Sequence, residues 1–163
     1  MIWFMLTKIP RAPILGLAFL AILPVNVSAK APTVCAPSPT AQSDALKALA
    51  GVFAALRADD EAGFESQTTA DFYAYDVGKR LTAAELLGLV KSAHAAGKKY
   101  EWTVTEPQMH VLCDWAWVTY VNMGSLEDIS GRQELKWLES AILHYDNAHW
   151  RVQFLHSTRA QTP

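Results

Sequence analysis

The sequence predicts an α+β domain with its helices first and an antiparallel sheet after them. Three observations carry that reading. Apolar residues recur at helical spacing only before Gly97: Leu46, Leu49, Phe53 and Leu56 in one stretch, Leu86, Leu89, Val90 and Ala93 in another. After Gly97, apolar and polar residues alternate at a period of two in long runs such as WAWVTYV and HWRVQFLH. Short polar turns separate these runs: Asp114, the SLEDISG loop, and Asp146 to Ala148. Helices segregated from an antiparallel meander define this layer arrangement.

The first residues read as a secretory signal peptide over 1–29. Lys8 and Arg11 precede an unbroken apolar run from Ala12 to Leu23, Pro24 ends it, and Val27-Ser28-Ala29 offers small residues for cleavage. That run falls short of the roughly 20 residues a spanning helix needs, so no membrane attachment is expected after cleavage. Removing Lys8 and Arg11 takes the formal charge from −2 to −4. Without a Lys/Arg run or basic patch, a nucleic-acid partner is not expected. Residues 30–42, KAPTVCAPSPTAQ, have no periodicity and read as a flexible tether. Two cysteines remain, Cys35 in the tether and Cys113 among the strands. In an oxidising compartment they either pair, for about 4 kcal/mol on a chain-entropy view, or stand as a free tail thiol and a buried one.

The folded domain is expected over 43–160. Ser43 is a candidate cap for the first helix, Asp59-Asp60 breaks it, and a short second helix runs to Phe64. DFYAYD, Asp71 to Asp76, reads as an aromatic strand entering a VGKR loop. Thr82-Ala83-Ala84-Glu85 is a capping box for the third helix, and Gly97 is its C′ residue. A long strand interrupted at Pro107 follows, then WAWVTYVNMG, QELKWLESAILHY and HWRVQFLHSTR.

The last two strands can be set in register. A two-residue turn at Asn147-Ala148, or a four-residue loop, pairs Tyr145 with Trp150 and Leu143 with Val152, and the same register opposes Glu139 and His156, whereas a three- or five-residue loop flips this parity. The face carrying Trp137, Glu139, Ala141, Leu143, Tyr145, Trp150, Val152 and Phe154 is the more apolar and is expected inward. The Glu139–His156 pair then has two readings: a carboxylate orienting a basic imidazole, or a structural ion pair at the mouth of the sheet.

The order of helix, short helix, aromatic strand, capped helix and four-strand meander ending in W-x-V-x-F-x-H-S resembles the nuclear transport factor 2-like superfamily. Within it the chain is similar to the ketosteroid-isomerase-like and SnoaL-like groups. DFYAYDVGKRLTAAELL, WAWVTYVNMGSLEDISG and WLESAILHYDNAHWRVQFLHSTR carry the resemblance, from about Ser43 to Arg159. It implies a cone: a curved antiparallel sheet wrapped around about three helices, with a pocket inside and an outer face that often dimerises. Asp76 lies where the isomerases keep their general base, whereas Ser43 to Arg57 lacks the tyrosine those enzymes carry on the first helix. The terminal HSTR resembles kinase hub domains, whose arginine-lined pocket makes Arg159 a candidate ligand contact.

Tyr75, Asp76, Trp117, Trp137, Phe154 and Arg159 are therefore the candidate ligand-binding residues, with Glu139 and His156 as candidate catalytic ones. The five histidines have no metal-site spacing, and no phosphate-binding glycine loop or nucleophile motif is present, so neither metal nor organic cofactor is expected. WAWVTYV places large apolar residues on both faces of one strand, which points to a homodimer. The functional expectation is an exported small-molecule-binding or accessory domain. The alternatives are a cofactor-independent isomerase, lyase or hydrolase using the Glu–His pair, and a structural dimerisation module.

Overall fold

A computed structural model describes residues 35–160; the signal peptide expected over 1–29 and the first part of the tether lie outside these residues. The element order is α1 (Ala41–Ala58), α2 (Glu61–Gln67), β1 (Thr68–Asp76), β2 (Lys79–Thr82), α3 (Ala83–Ala95), β3 (Lys99–Leu112), β4 (Trp115–Asp128), β5 (Gly131–Asp146) and β6 (His149–Arg159). This is the α+β cone that the sequence predicts, with three helices against one curved, unclosed sheet.

α1 begins two residues before the expected Ser43 cap. Thr40 holds the N-cap position without a side-chain cap, and the Ser43 hydroxyl donates back to the Thr40 carbonyl at 2.8 Å. Burial sets the start instead, because Ala41 and Ala45 already press into the core. The buried stripe continues through Leu49, Val52, Phe53 and Leu56. Asp59 ends the helix in the left-handed conformation (φ 54°), and Asp60 caps α2 by accepting from the Gly63 N–H at 2.9 Å. The Thr82/Glu85 capping box forms at α3, and Gly97 follows its C-cap at φ 80°.

The sheet order is β2-β1-β6-β5-β4-β3. Two features depart from the expected meander. β1 pairs with β6 in parallel, so the sheet is mixed, and VGKR is not a loop but the turn and start of β2. Val77 and Gly78 both take positive φ there (46° and 74°), a tight hairpin turn that valine does not advertise in a sequence. β3 breaks register at Glu106-Pro107, as the proline predicts, with Glu106 at φ 52°. β3 and β4 approach so closely at Gly124 that an added Cβ would lie 1.8 Å from the Glu101 carbonyl oxygen. Only glycine fits there.

The β5–β6 hairpin decides the inner face. Its turn is the expected two-residue one, with Asn147 and Ala148 at φ 45° and 67°. Tyr145 pairs with Trp150 and Leu143 with Val152, as predicted. Gln153 then bulges out of β6, so Ile142 pairs with Phe154, Ser140 with His156 and Glu139 with Ser157. The bulge overturns the expected Glu139–His156 opposition. A one-residue slip exchanges the faces: Leu155 is buried, while Phe154 and His156 turn to the outer side.

Cys35 and Cys113 are joined in a disulfide, with Cα atoms 5.3 Å apart. It ties the segment before α1 to the β3–β4 turn, where Cys113 has φ 58°. The closed loop is long (sequence separation 78), so opening it frees much unfolded-chain entropy. Replacing both cysteines by serine is expected to lower the unfolding free energy by about 4 kcal/mol in urea titrations. A loss below about 1 kcal/mol would show that the bridge does not constrain the unfolded chain.

Candidate functional site

The inner face of the sheet does not fill completely with side chains. Between α1, α3 and the concave sheet lies a cavity of about 700 Å³. Phe53 and Leu56 of α1 form one wall and Leu86, Leu89, Val90 and Ala93 of α3 another. That α3 face is the apolar stripe the sequence predicts, but Leu89 borders the cavity and stays 47% exposed. β3 adds Tyr100 and Trp102, whose rings stack with centroids 5.3 Å apart, and β5 adds Leu135 and Trp137. An aromatic, mostly apolar lining with few polar groups is the usual make-up of a ligand site.

Glu139 supplies the polar floor. It is 7% exposed and borders the cavity, and Tyr120 of β4 and Ser157 of β6 oppose it across the neighbouring ladders. Asn122, fully buried, donates from Nδ2 to Glu139 Oε2 at 2.9 Å. The Asn122 oxygen in turn accepts the Thr103 backbone N–H at 2.9 Å. This second bond sets the amide: with its oxygen committed to β3, its nitrogen faces the carboxyl. Burial pushes the Glu139 carboxyl above the usual range, against the downward pull of Asn122, Ser157 and Tyr120. The Tyr120 hydroxyl is sealed from solvent beside the same carboxyl without a hydrogen bond of ordinary geometry. Burial first, then the neighbouring carboxylate, holds its phenol well above the normal range.

Asp76, at the end of β1, borders the same cavity. Burial raises its carboxyl too, opposed by the Val77 N–H, which donates to Oδ1 at 2.8 Å, and by the nearby His156. Two carboxyls raised by burial therefore share one apolar space, and the charge of Asp76 adds to the cost of ionising Glu139. Such groups hold and release protons nearer neutrality than exposed acids do.

The other expected residues divide by face. Trp137 lines the cavity, and Arg159, its cross-strand partner, stands exposed at the rim. Tyr75 forms part of the lip, paired in parallel with His156, and their rings lie 6.2 Å apart. His156 reaches the rim from the outer side and does not face Glu139. Phe154 is a correction: the Gln153 bulge turns it outward, where it packs on Tyr73 and Tyr75 at 5.0 and 5.5 Å. Trp117 is another. It sits 48% exposed on the outer face, stacked on His110 at 4.8 Å, because strand alternation gives the inner face to Ala116, Val118 and Tyr120. Sequence reading missed Asn122, although it continues that inward alternation and is the one polar residue in the series; Ser157 was hidden by the bulge.

No protein-family model matches the sequence, and no curated protein matches it. The fold, in contrast, has many solved relatives. A putative dehydratase of the NTF2-like family from Streptomyces avermitilis superposes with a TM-score of 0.65 at 15% identity, over 77% of this chain and 100% of that one. An NTF2-like protein from Cytophaga hutchinsonii gives 0.62 at 12% identity, over 73% and 98%. The CaMKII hub of S. rosetta gives 0.63 at 15% identity, over 77% and 100%. The element order, the mixed curved sheet and these superpositions agree: the chain has the nuclear transport factor 2-like fold.

Proposed function

We propose that this is an exported domain that holds a small, partly apolar molecule in the cavity between α3 and the sheet. One observation carries the reading: a buried carboxyl, Glu139, is oriented by a dedicated amide at the floor of an otherwise apolar, aromatic-walled space. Burying an ionisable group costs stability unless it is paired and hydrogen-bonded, and here a carboxyl with one amide partner borders a cavity, the setting in which perturbed acids serve function. The Cys35–Cys113 disulfide and the leader-like residues 1–29 support passage to an oxidising compartment.

A catalytic reading has its own support in Asp76 and Glu139, two carboxyls raised by burial on one cavity. As a cofactor-independent isomerase, lyase or hydrolase, the protein would use this pair as base and acid, in place of Glu139 and His156, which are not cross-strand partners.

The outer face of the sheet supports self-association. Trp115, Trp117, Met123, Leu138 and Ile142 are all exposed on β4 and β5. An apolar surface of this extent, on the side away from the core, fits a second copy of the chain.

Three outcomes are expected. Nile red should gain fluorescence on binding the parent protein and lose that gain in Ala93→Trp, which fills the cavity from α3; equal binding by both would remove the cavity from the account. Intact mass of protein recovered from an exporting host should correspond to a chain starting at Lys30, and retention of the 18.0 kDa precursor would sink export. Light scattering should report a dimer that Ile142→Lys converts to monomer, and a parent monomer at micromolar concentration would refute the outer-face interface.

A further inference from the structure

Among the described residues, Glu139 has donors beside it and no ion-pair partner. Asn122 presents an N–H₂ group fixed by Thr103, and the Ser157 and Tyr120 hydroxyls pull toward its ionised form. The Asn122 amide nitrogen can only donate, so at Oε2 it favours the ionised form of the acid. Asp76 is held the same way, by the Val77 N–H. Among the described residues, the ion pairs of Lys and Arg go to other acids: Lys47–Asp44, Arg57–Glu101, Lys91–Glu61, Arg132–Glu134 and Arg151–Asp146. A wall arranged around the carboxylate form, yet lacking its counter-charge, leaves that charge to be brought in.

We infer that the cavity takes an organic cation, a molecule with an apolar ring-sized body and a protonated amine that reaches Glu139. The inference rests on the ligand-binding reading above and names the class of ligand. The ammonium supplies both a donor for the open side of the carboxylate and the missing positive charge. The walls suit the same guest: Trp102, Tyr100 and Trp137 line the cavity with aromatic surface, which attracts a cation and packs against its apolar body. Lys79, Arg80 and Arg159 also border the cavity, but at its exposed rim. Arg80 lies over the Tyr73 ring at 4.3 Å. Charges at that rim are screened by water and salt, whereas a carboxylate at the floor is not. His156 faces Asp76 from the rim and weighs on that carboxyl, not on the Asn122-held one.

Aminomethylanthracene, hydroxymethylanthracene and anthracene carboxylate share one body and differ only in the head group. Their fluorescence anisotropy with the full-length mature protein separates the possibilities. The amine should bind at least about tenfold more tightly than the alcohol, the size of one charge-assisted hydrogen bond, and the carboxylate more weakly than either. Glu139→Gln should erase the amine's advantage while the alcohol still binds, which also shows that the variant is folded. In the parent, amine affinity should fall as pH drops, because Glu139 takes up a proton; burial places that loss at higher pH than for an exposed glutamate. Alcohol affinity should stay level. Equal binding of amine and alcohol, or an advantage that survives Glu139→Gln, would overturn the organic-cation inference and leave the cavity reading intact. Probes that bind with no sensitivity to Ala93→Trp would overturn both.

Discussion

One extra residue in β6 sets the character of the inner face. Gln153 loops out of the β5–β6 ladder, and its amide donates to Asp71 Oδ2 of β1 at 2.8 Å, holding the bulge against the neighbouring strand. Strand side chains alternate with a period of two, so this single slip exchanges every later residue of β6 between faces. Leu155 and Ser157 come inward and close around Glu139. Phe154 and His156 go outward and join Tyr73 and Tyr75 in an aromatic group on the convex side. Without the bulge, the cavity floor would hold a carboxylate and an imidazole, neutralising each other. With it, the floor holds a carboxyl that accepts from Asn122 and has the Ser157 and Tyr120 side chains beside it.

That arrangement explains how the fold tolerates an acid in its interior. Burying a carboxylate is costly, and a single unmatched acid would normally be replaced or left to protonate. Here Asn122 spreads the cost over three strands, since it ties the Thr103 backbone of β3 to the Glu139 carboxyl of β5 through its own place on β4. Gly124, two residues along β4, lets β3 approach closely at the same end of the sheet. The polar floor is therefore built from sheet backbone and sheet side chains, whereas the apolar wall opposite belongs to α3.

Much of this was legible in the sequence, and the failures have a common cause. Helical stripes, the Thr82/Glu85 capping box, the Pro107 break and the Asn147-Ala148 turn are local signals, and each appears in the structure. The strand face of Ala116, Val118 and Tyr120 was legible too, because alternation runs unbroken there. What sequence reasoning missed are departures from regularity: the Gln153 bulge, the positive-φ turn at Val77-Gly78 that opens β2, and the parallel closure of β1 on β6. None has a residue type that forces it. The bulge is held by a contact to Asp71, distant in sequence, so nothing near Gln153 announces it. The misassignment of His156 and Phe154 follows from that one residue, whereas Trp117 was read to the wrong compartment despite an alternation that placed it outside.

The register itself is the claim on which cavity, floor and ligand class all depend. Backbone and side-chain nuclear Overhauser effects across the β5–β6 ladder test it directly in solution. The account predicts cross-strand contacts from Glu139 to Ser157 and from Ser140 to His156, with Asn122 side-chain amide protons close to the Glu139 side chain. Cross-strand contacts pairing Glu139 with His156 would mean an unbroken ladder, an imidazole at the cavity floor, and an account that fails at its foundation.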